Sequence, residues 1–254
     1  MWDPRQYTRY ADERGLPFHD LLAHVGAGSP GYVADLGCGP GELTASLAAR
    51  WPDARVEGVD SSAAMLEQAA GVASTRLAFT LAEVRDWRRA EPVDVLVTNS
   101  TLQWVDGHDR LLTRWAGKLA PGGWLAVQVP GNFAAPSHTL LRACAARWAD
   151  RLPGVTLREA PVLDPAGYWS LLTAAGCRVR AWETTYLQVL SGDDAVLEWT
   201  RGTALRPVLD ALGPAEAAQF TREYGKALRA AYPPGPHGTL FPFRRIFAVA
   251  QRES

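Results

Sequence analysis

The stretch Tyr32-Val33-Ala34-Asp35-Leu36-Gly37-Cys38-Gly39-Pro40-Gly41-Glu42 decides the fold class. A short apolar run closes on a carboxylate, three glycines alternate over the next five positions, and a helix-spaced segment, Glu42–Arg50, follows. Glycine has no Cβ, so a chain built this way can turn sharply between strand and helix and still leave its backbone open to a ligand. Strand, glycine turn, helix is the first half of a βαβ unit.

Outward from that unit the same alternation continues. β-rich runs are expected at Tyr32–Leu36, 55–59, Leu77–Leu81, 93–98 and 124–129, with helices at Glu42–Arg50, 62–71 and 109–119 between them. Strands and helices at such short intervals predict a mostly parallel sheet covered by helices on both faces. The nearly unbroken apolar run Val93-Asp94-Val95-Leu96-Val97 suits a strand buried on both sides. Ser61 or Ser62 is placed to cap the helix near Ala63. Pro121-Gly122-Gly123 reads as the stop of one helix and the turn into the next strand.

Ahead of the first strand, 7–25 reads as an amphipathic arm, with Tyr10, Leu21, Leu22 and Val25 expected on one face, either a lid or a helix packed on the sheet. Behind the fifth strand, helices are expected at 136–152 and 165–175, then a long strand at 178–189. A mostly helical stretch at 193–231, broken near Leu212-Gly213-Pro214, precedes a last strand at 243–249. The organisation predicted is one α/β domain over 1–254. It comprises an N-terminal helical arm (1–30), a cofactor-binding half (31–130) and a substrate-covering half (131–254) whose helical insertion, at about 193–232, lies between the last two strands.

Composition sets the outer limits. With 47 % hydrophobic residues the chain of 254 has ample material for a packed core. A net charge of −1 argues against a nucleic-acid partner, whose phosphates demand a surplus of Lys and Arg. No apolar run is long enough for a bilayer, and Met1-Trp2-Asp3-Pro4-Arg5 lacks the apolar stretch of a secretory signal, so the expected location is cytoplasmic, with no membrane partner and a monomeric state. Cys38, Cys144 and Cys177 and five scattered histidines show no ligand spacing, and no metal site is expected. Cys38, though inside the loop, reads as a small packing residue.

The loop by itself admits a dinucleotide or an adenosylmethionine. The dinucleotide pattern needs a third glycine at position 42, where this chain has Glu42, and an acid at a helix N-terminus repels a pyrophosphate. Asp35 suits a cationic ligand end such as an ammonium. Asp60 closes the second strand, 25 positions later, where a carboxylate can accept both ribose hydroxyls.

With Val59-Asp60-Ser61-Ser62, the sequence Asp-Leu-Gly-Cys-Gly-Pro-Gly resembles the first two motifs of the class I S-adenosylmethionine-dependent methyltransferases. That resemblance implies a Rossmann-like three-layer sandwich and S-adenosylmethionine as cofactor, leaving as S-adenosylhomocysteine. Asp35, Gly37, Gly39, Gly41, Asp60 and Ser61 would be its binding residues. It also implies Glu83 at the adenine amine, a Val84 backbone contact, and Asn99 along the methionine end.

The resemblance extends further. Trp2-Asp3-Pro4…Tyr7…Arg14, Asn99…Leu102-Gln103-Trp104…His108, Leu125-Ala126-Val127-Gln128-Val129-Pro130, Trp182…Thr184-Thr185-Tyr186, Leu205-Arg206-Pro207 and Phe243…Arg245-Ile246-Phe247 are similar to the trans-aconitate 2-methyltransferase family, over essentially the whole chain. This implies an O-methyltransferase that esterifies one carboxylate of a small tricarboxylate. Such an acceptor, with a carboxyl pKa of about 4, is ionised at neutral pH and needs no general base, so no catalytic acid or base is assigned. Methyl transfer then rests on positioning. Arginine forks suit the remaining carboxylates. Arg14, Arg206 and Arg245 match the family pattern and are the expected acceptor ligands, ahead of Arg201 and Arg244, with Tyr7, Gln103, Trp104 and Tyr186 beside them. Two positions depart from the family: Gln188 stands where a histidine is common, and Arg244 where a proline is. The rival readings are a methyltransferase of another small acid or of a natural-product hydroxyl, with His108 the histidine nearest the fourth-strand end, and, from another class, an NAD-binding dehydrogenase or a non-catalytic nucleoside-binding module.

Overall fold

A computed structural model describes residues 11–253, with side chains from residue 15 onward. The expectations placed on Tyr7 and on the Arg14 side chain lie outside what is described. By packing, the chain divides into two compact units. The first runs to Pro130 and takes in Val162–Thr184 and the residues from Arg245; the second comprises Gly131–Pro161 and Thr185–Arg244.

The first unit is built on strands β1 (Tyr32–Leu36), β2 (Arg55–Asp60), β3 (Leu77–Leu81), β4 (Val93–Asn99) and β5 (Leu119–Pro130), joined by parts of β6 (Cys177–Leu190) and β8 (Gly238–Arg252). The sheet order is β3-β2-β1-β4-β5-β8-β6. β1 pairs in parallel with both β2 and β4, so the order of strands reverses on either side of it. In an open α/β sheet this reversal opens a crevice at the carboxyl ends of the strands. β8 enters antiparallel to β5, setting Gln128 opposite Phe247 and Pro130 opposite Arg245.

Sequence explains these elements. β4 shows the burial pattern of a strand covered on both faces, and Leu36, Leu96, Leu125, Val127 and Ala248 share one core cluster with Leu112 and Trp115. Leu111, Leu112 and Trp115 fall on the inward stripe of α4 (His108–Ala116) and meet Tyr168 and Leu172 of α6 (Pro165–Ala174) in that cluster. Glu42 opens α2 (Glu42–Arg50), and Ser62 caps α3 (Ala63–Ala69) by accepting from the Met65 N–H. The described part of the arm, α1 (Ala11–Ala23), packs on β5 with Phe18, Leu21 and Leu22 buried, and Val25 is buried just beyond it. In this part it is a helix laid on the sheet.

Two expectations need correction. The 109–119 helix ends at Ala116, and Pro121-Gly122-Gly123 lies inside β5. Leu119 already pairs with Val93, and the register then shifts before Trp124 meets Val95. Gly122 takes φ +76°, and a Cβ on Gly123 would stand 2.9 Å from the carbonyls of Ala120 and Val93. The turn residues therefore build an irregularity within the ladder. The last strand begins at Gly238, five residues before position 243, with alternating burial across Leu240, Phe241 and Phe243.

The second unit holds α5 (Pro136–Arg147), α7 (Ala195–Arg201), α8 (Arg206–Ala211) and α9 (Pro214–Ala231), with β7 (Pro234–Gly235) paired to the start of β8. The break near Leu212 is real, and Pro214 opens α9 where its missing N–H costs nothing. α9 packs on α5 through Phe220 and Tyr224, whose hydroxyl donates to the Ser137 carbonyl at 2.7 Å.

Candidate active site

At the reversal point the first unit carries a cleft of about 400 Å³. Its wall is made by Gly37 and Gly39 after β1, Asp60 to Ser62 after β2, Glu83 to Arg85 after β3, and Asn99 to Thr101 with Trp104 and Val105 after β4.

Main-chain hydrogen bonds shape the glycine loop. The N–H groups of Gly37 and Cys38 donate to the Val59 carbonyl at 2.7 and 3.0 Å. Gly37 has φ +85°, and a Cβ there would lie 2.0 Å from Thr101 Oγ1. Asp60 uses one carboxylate oxygen for the Gly39 N–H and the other for the Ser62 N–H, both at 2.9 Å. A carboxylate has about four lone-pair sites, so each oxygen keeps capacity for a further donor. Asp60 thus ties the loop to the second strand and still faces the cleft.

Asp35 and Gly41 stand behind this wall. Asp35 is 2 % exposed and its Oδ2 accepts from Thr44 Oγ1 at 2.6 Å. Burial pushes its carboxyl up to about 7, with the Asp60 charge adding and the Thr44 hydrogen bond opposing. Gly41, at φ +84°, is required by packing, since a Cβ would come within 2.7 Å of the Phe79 ring and 2.8 Å of Ala69. On the wall after β3, the Val84 side chain joins the core while Glu83 is exposed, its carbonyl accepting from the N–H groups of Asp86 and Trp87.

The end of β4 holds a polar cluster that joins the expected Gln103 and Arg245 to two residues not expected in the site, Ser100 and Gln128. Ser100 has φ +55°. Its N–H and hydroxyl donate to the carbonyl and Oε1 of Gln128 at 2.9 and 3.1 Å. Its carbonyl accepts from Gln103 Nε2 at 2.6 Å, and its hydroxyl accepts from Arg245 Nη1 at 2.8 Å. Gln103 and Arg245 are therefore buried beside Ser100, whereas Trp104 lies on the cleft wall. Asn99, on the wall, has a buried Oδ1 without a hydrogen-bond partner among the described residues. The signal that could have found Gln128 was an amide inside the otherwise apolar run Leu125-Ala126-Val127-Gln128-Val129.

Tyr186 and Arg206 belong to the second unit. Tyr186 is half-buried, and Arg206 Nε stands 3.5 Å from Asp210. Arg201 is paired with Glu198 at 3.1 Å, and the Arg244 N–H donates to Asn132 Oδ1 at 2.6 Å. His108 is committed inside the first unit. Its Nε2 lies 3.1 Å from the buried Tyr168 hydroxyl, and burial lowers its pKa against the opposing Val105 backbone and Asp109. A neutral ring held this way is a poor base for an acceptor in the cleft. Among the described residues, no group of three His, Cys, Asp or Glu side chains could hold a metal ion, and no helix is long and apolar enough to cross a membrane.

Comparison with known proteins agrees with this geometry. A family model described as a methyltransferase domain matches residues 33–123, the segment that contains the loop and the ends of β2 to β4. Among solved structures, the YcgJ protein of Bacillus subtilis superposes with a TM-score of 0.59 at 14 % identity, covering 93 % of this chain and 98 % of that one. Haemonchus contortus phosphoethanolamine N-methyltransferase 2, in complex with phosphomonomethylethanolamine and S-adenosylhomocysteine, gives 0.56 at 14 % identity, over 94 % of this chain and 52 % of that one. These are likenesses of fold.

Likeness of sequence is closer. Trans-aconitate 2-methyltransferase of Streptomyces coelicolor is 55 % identical over 99 % of this chain and 86 % of its own length. That of Rhodococcus jostii is 54 % identical over 99 % of both. Identity of that order across both units, with a cleft at the strand reversal, identifies the chain as a member of the trans-aconitate 2-methyltransferase family.

Proposed function

We propose that this protein transfers the methyl group of S-adenosylmethionine to a carboxylate of trans-aconitate, yielding a monomethyl ester and S-adenosylhomocysteine. The observation that carries the reading is 54–55 % identity along 99 % of this chain to proteins named for that activity, joined to a cleft that has a carboxylate at the β2 end. Gly37 and Gly39 offer backbone to the cofactor, Asp60 and Ser61 take the ribose, and Glu83 with the Val84 backbone takes the adenine. Asn99 lies along the methionine end, and Asp35 acts on the ammonium from behind the loop. Gln103, Trp104, Tyr186, Arg206 and Arg245, with Tyr7 and Arg14, remain the acceptor candidates. Arg245 and Gln103 also bond Ser100.

Chemistry supports the reading. An ionised carboxylate attacks the sulfonium methyl in line, the C–S bond electrons leave with sulfur, and no proton moves. A hydroxyl acceptor would need a base within hydrogen-bond reach of the nucleophile. His108, the histidine expected there, is turned to Tyr168. The cofactor contacts proposed lie in one compact unit, and the reading requires no nucleic acid, membrane or second subunit.

One pH series tests this. The turnover number should stay constant within about twofold between about pH 6.5 and 8, because a carboxylate of pKa about 4 is already ionised. The Michaelis constant for S-adenosylmethionine should rise as pH falls through about 7, because protonation of Asp35 removes its attraction for the ammonium. Conversely, the ammonium favours the ionised carboxyl, so cofactor binding near pH 7 should release protons. A turnover number climbing with a histidine-like midpoint would favour a hydroxyl acceptor and a base.

A further inference from the structure

Ser100 is the one non-glycine among the described residues with a left-handed φ. That conformation costs about 1–2 kcal/mol and persists only where surrounding bonds over-determine it. Here Gln128 supplies two of those bonds, one from its main chain and one from its side chain. Gln128 is fully buried, and its Nε2 has no hydrogen-bond partner among the described residues. An apolar side chain of the same size would avoid that loss, so core stability does not account for an amide at this place. Its Oε1 bond to Ser100 does. The turn at Ser100 presents Asn99, Ser100 and Thr101 to the cleft, and Thr101 fills the space directly over Gly37.

We propose that Gln128 is a positioning residue of the methyl-transfer site: it holds Ser100 in its left-handed conformation and so fixes Asn99 and Thr101 against the bound cofactor. The inference rests on reading the cleft as an S-adenosylmethionine site. Gln103 and Arg245 complete the clamp, which gives the buried Arg245 guanidinium a task at Ser100.

Glycine adopts a left-handed φ without strain, and this supplies the test. Gln128→Met, nearly isosteric, should weaken S-adenosylhomocysteine binding about tenfold by calorimetry and lower turnover about 100-fold, as a misplacement of about 1 Å does. In a Ser100→Gly background the same Gln128→Met change should cost less than about threefold in both, because no strain is left for the amide to offset. Equal losses in the two backgrounds would overturn the clamp and leave Gln128 a packing residue. Should Gln128→Met fail to fold, Ser100→Gly and Ser100→Ala decide. Both lack the hydroxyl, and the clamp requires Ser100→Gly to bind S-adenosylhomocysteine about tenfold more tightly; equal affinity would overturn it. The affinity measurements involve no acceptor, so a wild-type protein that binds S-adenosylhomocysteine but leaves trans-aconitate unmethylated would sink the proposed function and not the clamp.

Discussion

Gly37→Ala is expected to abolish measurable S-adenosylhomocysteine binding and to lower the melting temperature by roughly 5–15 °C. Two physical causes combine. Position 37 sits at φ +85°, which costs an alanine about 1–2 kcal/mol. Its Cβ would also meet the Thr101 side chain at three atoms between 2.0 and 2.7 Å, and relieving such overpacking costs about 1–3 kcal/mol more. Thr101 cannot retreat alone, because its hydroxyl bonds the Asn99 carbonyl at 3.2 Å and the residue follows the held Ser100. The loop must shift instead, and with it the N–H bonds of Gly37 and Cys38 to Val59. Thermal unfolding and calorimetry on the same sample check both parts. Unaltered affinity in a folded Gly37→Ala protein would mean that the cofactor does not approach this loop.

Asp60→Ala is expected to weaken cofactor binding by about 100-fold or more while the protein stays folded. Two charge-assisted hydrogen bonds to ribose hydroxyls, at about 1.5–3 kcal/mol each, amount to at least two factors of ten in affinity. The same change leaves the Gly39 and Ser62 N–H groups without their present acceptor, loosening the loop and the start of α3. Asp60→Asn separates these effects. It keeps an acceptor for one N–H and should recover part of the stability but little of the affinity, since the charge is gone. The readout is S-adenosylhomocysteine affinity against melting temperature across the pair. If both variants bind like the wild type, the ribose does not lie at the end of β2.

Much of this site could be read along the chain because its parts are local. β1, the loop and α2 follow one another, and Tyr32–Leu36 and Glu42–Arg50 fall where the apolar run and the helical spacing put them. Asp60 is legible as a cleft residue because it ends a β-rich run just after the glycine loop, although a strand-end Asp also serves as a cap, as its bond to the Ser62 N–H shows. What stayed hidden depends on residues distant in sequence. Ser100 is held by Gln128 and by Arg245, 145 positions away, and no local pattern marks a left-handed serine. Gly41 shares the glycine spacing of the loop, but its φ of +84° and the closeness of Phe79 and Ala69, which also demand glycine there, show only in the fold. Likewise the Pro121-Gly122-Gly123 chemistry was legible as a break in the chain, but only pairing with Val93 shows it as an irregularity inside β5. Of the expected acceptor residues, Tyr7 and the Arg14 side chain lie outside the described residues, Gln103 and Arg245 are buried beside Ser100, and Trp104 lines the cleft.

The nucleophile in this reading is an ionised carboxylate of trans-aconitate. Its most direct measurement is methyl transfer from isotopically labelled S-adenosylmethionine to trans-aconitate, cis-aconitate, isocitrate and citrate in parallel, with the labelled position mapped. The expected product is a base-labile monomethyl ester, formed fastest from trans-aconitate, with none of the label on a hydroxyl. Label on the hydroxyl of isocitrate or citrate, or no ester from trans-aconitate with a protein that binds S-adenosylhomocysteine, would contradict it.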